Sequence, residues 1–219
     1  MKSALSLTLP FLLFALTTNL ASAAFKDPPV KILDSKGAPL SPSAEYYITQ
    51  LNNGPTGGGL KTGTGLNITC PLIVLQDFYN AIRGQKVRFT IRGRKSDTIM
   101  TGTPLDIEFV DDKPSCASSS KWVVVYEKKY PAPWVGIGDP ARLPGKRVID
   151  GVFRIEKYLF LEGYKFMFCP TGSTRCANVG RREDANGKRL ILTNQTGDFF
   201  VFEVGFERAV KPNSSKLLF

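Results

Sequence analysis

Short apolar runs recur along the chain, and none carries the 3.6-residue period of an amphipathic helix. The runs at 46–49, 72–75, 86–91, 105–110, 122–126, 152–155, 164–168, 190–192 and 199–204 are rich in β-branched and aromatic residues and read as strands. Glycine and proline punctuate the spaces between them, at 53–59, 131–133, 136–140 and 186–187. Glycine supplies positive φ and proline fixes φ, so these stretches predict turns. Asp184-Ala185-Asn186-Gly187, followed by Lys188-Arg189-Leu190, predicts a tight hairpin. Many short strands separated by turns predict an all-β sandwich or barrel.

The first residues depart from this pattern. Met1-Lys2 is cationic, the stretch from Leu5 to Leu20 is largely apolar, and Ala21-Ser22-Ala23-Ala24 closes it with small residues. That order predicts a signal peptide over 1–23, cleaved after Ala23 or Ala24. The run is shorter than the ~20 apolar residues that span a bilayer, and polar residues break it. Residues 24–210 then form a single domain, and 211–219 a flexible tail or trimmed propeptide. The expected route is the secretory pathway, without membrane attachment. In that setting the sequons at Asn67, Asn194 and Asn213 are candidate glycosylation sites.

Charge and cysteine refine the picture. The chain has 29 Lys and Arg against 19 Asp and Glu, a formal charge of +10. Outside 88–95 and Arg181-Arg182 the cations are scattered, which reads as solvated surface and not as a nucleic-acid footprint. Cys70, Cys116, Cys169 and Cys176 make an even count behind a signal peptide, hence two disulfides. Three pairings are open; neighbour pairing is the simplest, and chain entropy would then credit the long loop with about 4 kcal/mol and the short one with about 2.5 kcal/mol. A zinc site is disfavoured by the cysteine spacing, and no metal or cofactor is expected.

The chain contains no histidine. That removes His-dependent triads, histidine–zinc hydrolase sites and the commonest general base near neutral pH. Asp111-Asp112 and Glu183-Asp184 are adjacent pairs, which in a strand point to opposite faces. The composition argues for a binding protein and against an enzyme.

One block of motifs is more specific. Ile32-Leu33-Asp34-Ser35-Lys36-Gly37-Ala38-Pro39-Leu40 followed by Tyr46-Tyr47-Ile48 resembles the signature of the plant Kunitz (soybean trypsin inhibitor) family. Gly57-Gly58-Gly59-Leu60, Cys70-Pro71-Leu72, Trp122, 153–157, 164–170, Val179-Gly180 and 187–190 fall in the family's order, so the resemblance runs from about Val30 to Phe206. It implies a β-trefoil of twelve strands, with six closing a barrel and six capping it. It also implies the disulfides Cys70–Cys116 and Cys169–Cys176, and a tight Asp–Gly turn with a buried Tyr in the barrel floor.

The resemblance further implies a monomeric endopeptidase inhibitor, acting on serine proteases through an extended basic loop between the fourth and fifth strands. Counting by the family pattern puts the tip at Arg94 followed by Lys95, or at Lys95 followed by Ser96. Where inhibitory members carry a loop-bracing Asn, this chain has Pro42, flanked by Ser41 and Ser43. The alternatives are an inhibitor of papain-like cysteine proteases or a non-inhibitory binding, stress-related or storage protein. Residues 96–109 resemble the crucifer branch that includes water-soluble chlorophyll proteins and drought-regulated Kunitz proteins. The pigment binders' Phe-Cys-Pro with a following Gly-Ile is not matched by Thr69-Cys70-Pro71-Leu72-Ile73-Val74.

Overall fold

The computed structural model describes residues 28–51, 57–65, 68–93, 95–111, 113–139, 145–158, 163–194 and 201–210. The expected signal peptide at 1–23, the tail at 211–219, and Arg94, Asn67 and Asn213 lie outside them. Asn194 is exposed, while the Thr196 of its sequon is also outside.

The described residues form thirteen strands: β1 (Glu45–Thr49), β2 (Leu60–Gly65), β3 (Ile68–Gln76), β4 (Val87–Ile91), β5 (Leu105–Phe109), β6 (Trp122–Glu127), β7 (Trp134–Ile137), β8 (Lys146–Ile149), β9 (Gly151–Lys157), β10 (Tyr164–Pro170), β11 (Ala177–Asp184), β12 (Gly187–Thr193) and β13 (Glu203–Arg208). Strands β13, β1, β4, β5, β9 and β10 pair in that order, and β10 returns to β13, which closes a six-stranded barrel. The hairpins β2–β3, β6–β7 and β11–β12 cap one end. Their strands β3, β7 and β12 meet in a triangle, through Ile73↔Gly136, Ile191↔Trp134 and Arg189↔Leu75. Three four-strand units around one axis make a β-trefoil.

The strand count exceeds twelve for a local reason. β8 pairs with β6 in the cap, whereas β9 pairs with β10 and β5 in the barrel. They are one trefoil strand broken at Asp150, where the chain passes from cap to barrel.

Aromatic side chains fill the barrel. Trp122 lies 5.6 Å from Phe109 and 5.9 Å from both Phe153 and Phe166. Phe206 packs on Phe89 at 5.6 Å and on Tyr164 at 5.7 Å. Alternation along β5, with Leu105, Ile107 and Phe109 buried, makes each barrel strand contribute every second residue to this core.

Four strands are not visible in the apolar pattern. β2 and β11 carry too many polar residues, β8 is a short polar strand, and β7 is buried on both faces and hidden by its glycine. The pattern predicts a turn at Gly136; the residue lies in β7, where an added Cβ would sit 2.8 Å from the Leu72 carbonyl. Residues 199 and 200 of the expected last strand lie outside the described residues, and β13 continues past the expected end at 204 because 205–208 pair with β1. The hairpin expected at 184–187 is present, with Asp184 opposite Gly187. Both disulfides join the neighbours that the resemblance implied.

Candidate functional site

The loop of residues 92–104 leaves β4 and enters β5 at the barrel end opposite the cap. Its neck is closed by the Arg92 N–H, which donates to the Pro104 carbonyl at 2.9 Å. The Arg92 side chain turns back to β5, where Nε donates to Asp106 Oδ1 at 2.7 Å, and Lys121 Nζ reaches Asp106 Oδ2 at 2.9 Å.

The second half of the loop is held by the segment 30–40. This segment is a small ribbon: Leu40 N–H donates to the Ile32 carbonyl, and the turn between them is fastened by Asp34 Oδ1, which accepts from the N–H groups of Lys36 and Ala38. Gly37 sits in that turn at φ +77°, a value that favours glycine. The ribbon grips the loop through Ile32 N–H to the Ile99 carbonyl (3.1 Å), Ile99 N–H to the Leu40 carbonyl (2.9 Å) and Thr101 N–H to the Val30 carbonyl (2.8 Å). Ile99 is fully buried. Tyr46 is the buried tyrosine of the floor, its hydroxyl accepting from Ser41 N–H at 2.8 Å.

Among the described residues, Gly93 and 95–97 are the exposed part of the loop. Gly93 adopts φ +93° and has open space where a side chain would be. Lys95, Ser96 and Asp97 are exposed, and Ser96 Oγ donates to the Thr98 carbonyl at 2.9 Å while accepting from its N–H. Beside Pro42, the hydroxyls of Ser41 and Ser43 bond one another at 2.9 Å.

The outer faces of β4 and β5 carry a line of ion pairs that ends at this loop. Lys86 and Arg88 both reach Glu45, at 3.2 and 3.0 Å, and Arg88 also reaches Glu108 at 3.4 Å. The hydrogen bond from Lys86, helped by Arg88, outweighs burial and holds the Glu45 carboxyl below its ordinary range. Of the adjacent acid pairs, Asp112 lies outside the described residues. Asp111 accepts from Lys86 N–H, and Asp184 turns inward to pair with the buried Arg189 while Glu183 faces solvent.

Asp106, Arg92, Lys121 and Ile99 are the residues holding the loop whose role the sequence reading missed. Alternation in β5 shows only that Asp106 faces outward; that its partners come from before β5 and from the start of β6 is a matter of folding.

Comparison with known proteins places this geometry. Residues 32–208 match the Kunitz legume family model, described as "Trypsin and protease inhibitor". The chain belongs to this family. It is 42% identical over 203 residues to the Kunitz-type trypsin inhibitor-like 2 protein of Pisum sativum, covering 92% of this chain and 93% of the pea protein. It is 41% identical to the subtilisin inhibitor CLSI-II of Canavalia lineata, over 78% of this chain and 90% of that protein. Among solved structures, a Kunitz type trypsin inhibitor from Cicer arietinum superposes with a TM-score of 0.77 at 40% identity, covering 82% of this chain and 99% of that one. Soybean trypsin inhibitor in its complex with porcine pancreatic trypsin gives 0.68 at 26% identity, over 83% and 100%. The family is one of protease inhibitors, not of enzymes.

Proposed function

We propose that this chain inhibits serine endopeptidases of trypsin-like specificity by offering the 92–104 loop to the protease cleft as a substrate-like segment. One observation carries the reading: an exposed stretch that bears Lys95 lies between two anchored flanks, the Arg92 neck and the Ile99 clamp. A loop ordered before docking loses little entropy on binding, so an interface of ordinary size can be tight. A cationic tip matches the carboxylate at the base of a trypsin-like pocket.

Lys95, followed by Ser96, suits the tip position better than Arg94. A protease reads the residues around the scissile bond as extended backbone. With Arg94 at the tip, the residue immediately before it would be Gly93, whose φ of +93° is left-handed. With Lys95 at the tip, that conformation falls one residue further out. The protein reaches its target as a secreted or vacuolar monomer, residues 1–23 serving as the export signal.

Titrating trypsin, subtilisin and papain with the purified protein tests the reading. Inhibition of trypsin should weaken at least about 30-fold in Lys95→Ala, as for the anchor residue of an interface, and less in Arg94→Ala. A parent that leaves both serine proteases fully active removes the proposal, and inhibition of papain alone transfers it to the cysteine class.

A further inference from the structure

We propose that Asp106 is a positioning residue for the inhibitory loop, a latch whose single carboxylate fixes the loop's neck; this rests on the inhibitory reading above. Three segments meet on it. Asp106 lies on β5 opposite Thr90 of β4. One oxygen takes Arg92 Nε at 2.7 Å, from the first residue after β4, and the other takes Lys121 Nζ at 2.9 Å, from the residue just before β6. Lys121 is itself bridged through its backbone to Glu108, two residues along β5. The carboxylate therefore ties the outgoing root of the loop to β5 of the barrel and to the segment that enters β6.

Arg92 matters because its backbone and side chain act together. Its N–H closes the neck on Pro104 while its side chain binds Asp106, so one residue holds the neck twice. Beyond Arg92 the next residue is Gly93, with left-handed φ and no contact for a side chain. Among the described residues the neck is what orders the outgoing side, whereas the incoming side has Ile99 and its backbone clamp. The latch supplies on one flank what the ribbon supplies on the other.

Exposure decides where the effect should be felt. The side chains of Asp106, Arg92 and Lys121 are 23%, 43% and 41% exposed. Ion pairs so open to water contribute little to global stability. A loop neck opens in a small local equilibrium separate from unfolding, and there a modest bias changes the populated fraction several-fold. Loss of the latch should therefore appear in inhibition and in loop cleavage while the melting temperature barely moves.

Four measurements on purified full-length protein test this: the inhibition constant against trypsin, the rate at which excess trypsin cleaves the loop, hydrogen exchange at the Arg92 amide, and the thermal midpoint. Asp106→Asn keeps size and removes charge; it should weaken inhibition and speed both loop cleavage and Arg92 exchange about tenfold, with a midpoint shift under about 3 °C. Arg92→Gln should do the same, and the double variant should be no worse than either single variant. Asp106→Glu should restore inhibition to within about threefold of the parent, because it restores the charge. Parental inhibition and parental Arg92 exchange in Asp106→Asn would overturn the latch. If Asp106→Asn does not fold, Arg92→Gln carries the decision. If the parent inhibits nothing, the function proposed above has failed, and Arg92 exchange alone judges the latch.

Discussion

Removing the two disulfides separately should reveal a large difference between them, set by the unfolded chain. Cys70–Cys116 joins residues 46 apart in sequence, and Cys169–Cys176 joins residues 7 apart. In the chain-entropy account the first restricts the unfolded ensemble by about 4 kcal/mol and the second by about 2.5 kcal/mol, a difference of about 1.5 kcal/mol. Burial could blur that ranking, but each bridge has one sulfur against the core. Cys169 is 7% exposed in β10, and Cys70 packs on the main apolar cluster from β3. Cys116 is exposed and Cys176 part-buried, so packing favours the short bridge, and the ranking tests whether loop length outweighs it. The variants Cys70→Ala/Cys116→Ala and Cys169→Ala/Cys176→Ala, compared with the parent by urea unfolding, give the two costs. Equal slopes against urea would show that the unfolded states expose similar surface. The long-loop variant should be the less stable by more than about 1 kcal/mol. Equal costs, or a larger cost for the short bridge, would refute the argument and place disulfide stabilisation in native packing.

Two further outcomes are expected. Ile99→Ala should cost about 2–5 kcal/mol and weaken trypsin inhibition, whereas Ile99→Val should cost about 0.5–1.5 kcal/mol and leave inhibition close to the parent's; unchanged inhibition in the alanine variant would deny the clamp its role. Burial raises the Glu203 carboxyl above its ordinary 4.5 despite the opposing charge of Arg181, so the folded state holds this proton more tightly than the unfolded chain. Glu203 therefore lowers stability as pH rises through the interval above 4.5, and the stability of Glu203→Gln relative to the parent should increase across that interval in paired melts. A difference independent of pH would show that Glu203 titrates alike in both states.

The apolar pattern by itself determined the class of fold and most of the barrel. Residues 105–109 alternate strictly, and the same period at 164–168 marks β10, because a strand with one face in a core must place its apolar residues two apart. Local chemistry also determined the turns at Asp34–Gly37 and 184–187, where backbone demands are met by the residues of the turn itself. The absence of histidine narrowed the possible chemistry through composition alone. Other features depend on what lies across the molecule. Gly136 is required by the Leu72 carbonyl passing beside it, so as a letter in sequence it is indistinguishable from a turn glycine. The basic segment at 91–97 was legible as a candidate loop, but its anchors were not. Ile99 is pinned by backbone groups some 60 residues earlier, and Asp106 by a lysine 15 residues later. Such contacts join positions with no shared period or spacing, and only closure of the barrel brings them together.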